Sequence, residues 1–96
     1  MSRLIVTSKA IDDLVRVHDF LASKSPEAAA RAKKVILEHF EKARKNPMIY
    51  RPVHNRPDER EIVIAFGSYG YIARFRHDQE NDVVVILRAW HQKEQR

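Results

Sequence analysis

Apolar residues in this chain keep two periods, and one changes to the other around a single dipeptide, Asn46-Pro47. Before it, apolar side chains recur every three to four residues, the spacing of an amphipathic helix. Beyond residue 60 they alternate, the spacing of a strand with two unlike faces. Such a chain can be neither a helical bundle nor a sandwich of sheets. It has to lay helices on a sheet around one core. Its 96 residues leave no room for a second domain.

Within the helical part, Ile11, Leu14, Val15, His18 and Leu21 share a face, and Thr7 or Ser8 can cap the start. Asp12 and Asp13 suit the positive end of that helix. Ser25-Pro26-Glu27 restarts the pattern, with serine at the cap and proline in the first turn. Ala28, Ala32, Val35, Ile36, Phe40 and Ala43 then carry an apolar stripe until Pro47 ends the helix. The predicted elements are a strand over 3–7, helices over about 8–24 and 26–45, and a loop over 46–59 that holds three prolines. Strands follow over about 60–66, 69–76 and 83–90, with turns at Gly67-Ser68 and "HDQEND". The expected fold is therefore a single α+β domain over 1–96 in the order β-α-α-β-β-β. A helical hairpin covers one face of a small antiparallel sheet, and no helix remains to cover the other.

Alternation sorts the last strand into Val83, Val85, Leu87 and Ala89 on one face and Val84, Ile86, Arg88 and Trp90 on the other. In the strand before it, Ile72, Arg74 and Arg76 oppose Tyr71, Ala73 and Phe75. Arg74, Arg76 and Arg88 are thus expected to line the uncovered face, with Trp90 at its end. An apolar surface rimmed by arginines fits an amphipathic, acidic partner. The formal net charge of +5 is compatible with such a partner, with nucleic acid, or with simple solubility.

Several chemistries are disfavoured by residue type. There is no cysteine, so neither a disulfide framework nor a thiolate metal site is available. The five histidines show no pair at helical ligand spacing, and His18 on the first helix reads as a core or boundary residue. Neither metal nor cofactor is expected. No serine sits in a nucleophile motif, and Gly67 and Gly70 build no phosphate loop. The N-terminus lacks a signal-peptide apolar run and no stretch is long enough to span a bilayer, so the expected location is the cytoplasm. Acid–base cleavage of RNA remains open: His91 as proton carrier, Arg60, Arg74 and Arg88 as phosphate cations, and Glu61 or Glu94 as base. Arg31, Lys33, Lys34, Lys42, Arg44 and Lys45 read mainly as the solvated back of the second helix.

The order of these parts resembles the RelE/ParE superfamily of bacterial toxins, over roughly residues 4–94. The matching features are a hairpin opening Ser-Pro-Glu-Ala-Ala, the Arg60-Glu61-Ile62 entry to the sheet, "YGYIARF", and the ending Ile86-Leu87-Arg88-Ala89-Trp90-His91. The resemblance implies a type II toxin, of the plasmid-stabilisation kind, held silent by a cognate antitoxin whose C-terminal segment wraps the helices and sheet. Arg60, Arg74, Arg76, Arg88, Trp90 and His91 then become candidates for binding the antitoxin or the target. ParE-like members poison DNA gyrase and catalyse nothing; RelE-like members cleave mRNA on the ribosome, for which His91, Arg60, Arg74 and Arg88 are the candidates. The chain departs from the cleaving pattern. Tyr71 stands where many RelE-like toxins carry an arginine, the loop before Arg60 lacks a dense lysine cluster, and the tail "WHQKEQ" is nearer the ParE-like ending. His91 does fall near the histidine of some cleaving relatives. The ParE-like branch is the expectation, the RelE-like endonuclease the alternative, and a non-toxic basic nucleic-acid-binding module a third possibility.

Overall fold

The computed structural model describes residues 2–94. Met1, Gln95 and Arg96, which the expected domain included, lie outside the described residues. Strand β1 (Arg3–Val6) leads into helices α1 (Ser8–Ala22) and α2 (Pro26–Lys45). A short 3-10 turn (Pro47–Ile49) precedes β2 (Arg51–Val53), β3 (Arg56–Phe66), β4 (Tyr69–Asp78) and β5 (Val83–His91). One five-stranded sheet has the order β1-β5-β4-β3-β2. β1 runs parallel to β5, and every other pairing is antiparallel. Both helices pack on the same sheet, as the α+β expectation requires.

Local chemistry places the helix ends. Thr7 caps α1, its Oγ1 accepting from the Ala10 N–H at 3.1 Å, and Ser25 caps α2 through the Ala28 N–H at 3.2 Å. Both bonds satisfy donors that a helix start leaves without partners. At the β3–β4 turn Gly67 adopts φ 64°, a left-handed conformation that costs glycine little. Gly70 is required for another reason: a Cβ there would run into the Ile64 carbonyl oxygen on the paired strand.

The stretch 46–59 is not the plain loop its prolines implied. It contains the 3-10 turn, the added strand β2, and the first residues of β3. Pro52 is tolerated because β2 is an edge strand broken by a bulge next to it, and Pro57 precedes the first β3–β4 pair, Glu59 with Arg76. The first strand ends one residue early because Thr7 becomes the helix cap.

Register divides the sheet into two faces. Toward the helices lie Ile62, Ile64, Tyr71, Ala73, Phe75, Val84, Ile86 and Ala89, all in the main core with Ala32, Ile36, Phe40 and Ala43 of α2. Leu4 and Val6 of β1 pack against the same core. The alternation expected for β5 fails at one residue. Phe75 pairs with Ile86 while Arg74 pairs with Arg88, so Leu87 is a bulge. An extra residue reverses the side-chain sense beyond it. Val84 and Ile86 therefore face the helices, not the side of Arg88 and Trp90, and Ala89 faces the helices as well.

The stripe on α1 is also rotated from expectation. Its buried residues are Ala10, Asp13 and Val17, while Ile11 and Val15 are half exposed and His18 is exposed. Asp13, expected to serve the helix dipole, is instead buried under the sheet edge.

Candidate functional site

The bare face of the sheet can be described as rungs, because directly opposed residues in antiparallel strands share a face. One rung is apolar: Val63, Ile72 and Trp90. The next is charged across four strands: Arg51, Glu61, Arg74 and Arg88. A third holds Glu59, Arg76, Val85 and Ile5. Val63 is 51% exposed and Ile5 43%. The bulge at Leu87 is what aligns Arg88 and Trp90 with Arg74 and Ile72. Arg74, Arg76 and Arg88 do share the uncovered face, as expected, and Trp90 stands beside them.

These cations are not waiting for a first partner. Glu61 Oε2 accepts from Arg74 Nη2 at 2.7 Å, and Glu61 Oε1 lies 3.5 Å from Arg51 Nη2. The Arg74 guanidinium lies over the Trp90 ring, 5.7 Å from its centroid, a cation–π contact. Arg74 Nε is buried and has no acceptor among the described residues. Arg88 turns to α1, where its Nε and Nη2 donate to Asp13 at 2.8 and 3.2 Å. The sequence expectation that Arg88 is satisfied by a foreign chain is thus corrected. Arg76 remains exposed.

Asp13 is the hub of this edge. Its side chain is only 3% exposed, and it accepts from Arg88, from the Ala89 N–H at 2.9 Å and from Arg16 Nη1 at 2.6 Å. Burial alone would raise its pKa. The hydrogen bonds from Arg88, Ala89 and Arg16 outweigh that and hold the carboxyl well below the usual range. Arg16 also reaches the Ala89 carbonyl at 3.3 Å and Glu94 at 3.0 Å, while Glu94 accepts from the His91 N–H at 3.2 Å. Beyond the reach of β1, side chains from α1 and the tail supply the bonds a neighbouring strand would make. Glu94, proposed from sequence as a catalytic base, is tied into this edge by those two bonds.

His91 and Arg60 fall on the opposite face from Arg74 and Arg88. His91 pairs with Tyr71 and packs edge-on against its ring at 5.4 Å. Its Nδ1 lies 3.1 Å from the Lys93 N–H and accepts from it, which leaves the other ring nitrogen as the donor of the neutral form. Tyr69 lies 5.9 Å away, with Lys93 Nζ over the Tyr69 ring. Arg60 pairs with Phe75 and donates to the Tyr50 carbonyl at 2.6 Å. Arg60 and His91 are four residues apart along β4, a span of about 13 Å. The four residues proposed for RNA cleavage are therefore not gathered around one point. Among the described residues no cluster of ligand-type side chains could hold a metal, and no helix is long and apolar enough to cross a membrane.

Sequence reasoning missed a second surface. α1 and α2 leave an apolar groove of about 280 Å³ between them, lined by Ile11, Leu14, Val15, Ile36 and Leu37 among others. Its signal was present, since α1 is apolar over more of its circumference than one buried stripe needs. Ile11 and Val15 belong to the face that helical spacing groups with Leu14 and Leu21.

A family model described as the ParE toxin of the type II toxin–antitoxin system parDE matches residues 4–96. The toxin named RelE3 from Caulobacter vibrioides is 32% identical over 88 residues, covering 92% of this chain and 91% of that protein. In structure, a chain of the chromosomal ParDE system of P. aeruginosa superposes with TM-score 0.77 at 24% identity, covering 95% of this chain and 96% of its own. A chain of the RelBE2 toxin–antitoxin complex of Mycobacterium tuberculosis gives TM-score 0.65 at 21% identity, covering 95% and 98%. At those identities the two structural likenesses speak to fold.

Proposed function

The chain belongs to the ParE toxin family of type II toxin–antitoxin systems, and on that premise we propose that it arrests growth by binding DNA gyrase, as a protein ligand and not as a nuclease. One observation carries the non-nucleolytic half of this reading. Acid–base cleavage needs a proton carrier and cations within hydrogen-bond reach of one phosphate. Here His91 and Arg60 lie on the helix side of the sheet, and Arg74 and Arg88 on the other. Glu61 and Asp13 also occupy those two arginines. Gyrase is the target that resemblance to the ParE branch implies.

Its silencing partner is a cognate antitoxin with an acidic, amphipathic C-terminal segment. The bare face offers what such a segment needs: an apolar rung at Val63, Ile72 and Trp90 and, two rungs away, the exposed cation Arg76. The groove between α1 and α2 gives a second apolar seat. The toxin–antitoxin systems named for the structural neighbours are in keeping with this partner.

The name of the Caulobacter relative favours a second reading, a RelE-like endonuclease acting on ribosome-bound mRNA. Induction in cells with separate labels for DNA and protein synthesis tests the choice. Loss of DNA synthesis with translation intact supports gyrase as the target. Early loss of translation, with cut mRNA, overturns it.

A further inference from the structure

The charged rung contains an arrangement that family membership does not explain. Arg51, Glu61, Arg74 and Arg88 stand on four adjacent strands, so three guanidinium groups and one carboxylate cross the bare face in line. Glu61 serves both of its neighbours, at 2.7 Å to Arg74 and 3.5 Å to Arg51. It is largely covered while Arg51 is largely exposed. Arg88 at the far end is taken by Asp13, and the next rung repeats the device, with Glu59 lying 3.4 Å from Arg56 and opposite Arg76.

Without those carboxylates, the surface would have the parts of a single-strand nucleic-acid platform. It would hold a line of cations beside an indole on which a base can stack, in a chain of net charge +5. A phosphodiester backbone brings a negative charge at every step, so it cannot cross this line without placing one beside Glu61. A protein segment can set apolar side chains on the Val63–Ile72–Trp90 rung and acids only near Arg76. We propose that Glu61 is a specificity-determining residue that keeps Arg74 from phosphates, so that the bare face accepts an amphipathic protein segment and rejects nucleic acid. Glu61 acts by occupying Arg74 and holding it against Trp90. This inference extends the proposed reading of the chain as a protein-directed toxin.

The test uses the purified chain and a labelled single-stranded RNA of about 20 nucleotides, read by fluorescence anisotropy across a salt series. Glu61→Gln keeps the side-chain shape and removes the charge. It should bind RNA roughly fivefold more tightly than wild type at about 0.1 M salt, with a log–log salt slope steeper by about 0.7, one further phosphate. Glu38→Gln makes the same change in net charge on the exposed side of α2 and should shift affinity less than about twofold. Equal gains in the two variants would overturn the proposal, because net charge alone would then explain both. A second arm does not depend on how well Glu61→Gln folds. Replacing Arg74 by glutamine should leave the weak RNA binding of the wild type within about twofold, since that cation is already withheld. A fall of about fivefold or more would show that it contacts phosphate despite Glu61, and the proposal would fail. Gyrase takes part in neither arm, so a chain that does not touch gyrase leaves both results unchanged.

Discussion

The two faces of the sheet are made from the same strands but stabilised by different means. On the helix side Phe75, Ile62, Ile64, Val84 and Ile86 are almost wholly buried against Phe40 and its neighbours. On the bare side, half-exposed Val63 and Ile5 flank a line of charges paired through Glu61 within the sheet and through Asp13 of α1 at its end. Removing a side chain from the first face leaves a cavity in a packed interior. On the second, removing Val63 or Ile5 mostly exposes neighbours to water they already meet, whereas Val83 and Val85 on that face are buried. Stability should therefore reside on one face and recognition on the other, and Asp13 joins them at the edge of β5.

The contrast can be broken first at its strongest point. Phe75→Ala should lose about 3–5 kcal/mol in urea unfolding, whereas Val63→Ala on the neighbouring strand should lose under about 1 kcal/mol. Equal losses would mean that the face described as bare is in fact packed.

Next in size is Asp13→Asn, which leaves Arg88 and Arg16 without their shared carboxylate and should cost about 3 kcal/mol near neutral pH. The pH dependence has a definite sign. The folded pKa of Asp13 is depressed, so its contribution is complete above the unfolded value of about 3.9. It is lost as pH falls from there through the folded value. Unfolding curves at pH 7, 4 and 3 should show this acid loss in the wild type and less of it in Asp13→Asn. Parallel curves would remove Asp13 from the account.

Trp90→Ala sharpens the other side. It should cost about 1 kcal/mol or less in stability, yet weaken binding to the antitoxin or the target at least tenfold by calorimetric titration, as loss of an aromatic anchor does. Unaltered affinity would move the docking surface elsewhere. Arg76→Ala should be smallest of all, within about 0.5 kcal/mol in stability, with a slower, salt-dependent association rate as its readout.

Local physics made much of this fold legible. The period change at Asn46-Pro47, the caps at Thr7 and Ser25, and the Gly67 turn depend only on neighbours in sequence, and each is found where its residue type requires. Strand β2, the early start of β3 and the bulge at Leu87 depend on what lies across the sheet. Alternation carries no mark of one inserted residue, and the bulge alone moved Val84 and Ile86 from one face to the other. The arginines of the candidate site were identifiable and shared a face as expected. Their pairing was not, because Asp13 lies 75 residues from Arg88 and Glu61 lies 13 from Arg74. The separation of His91 and Arg60 from those arginines also required the register of β4 against both neighbours.

The most direct measurement is DNA supercoiling by purified gyrase with this chain added. Supercoiling should stop as the chain approaches gyrase in amount and recover on adding the cognate antitoxin, while ribosome-bound mRNA incubated with the same chain stays whole. Undiminished supercoiling together with cut mRNA would contradict the account.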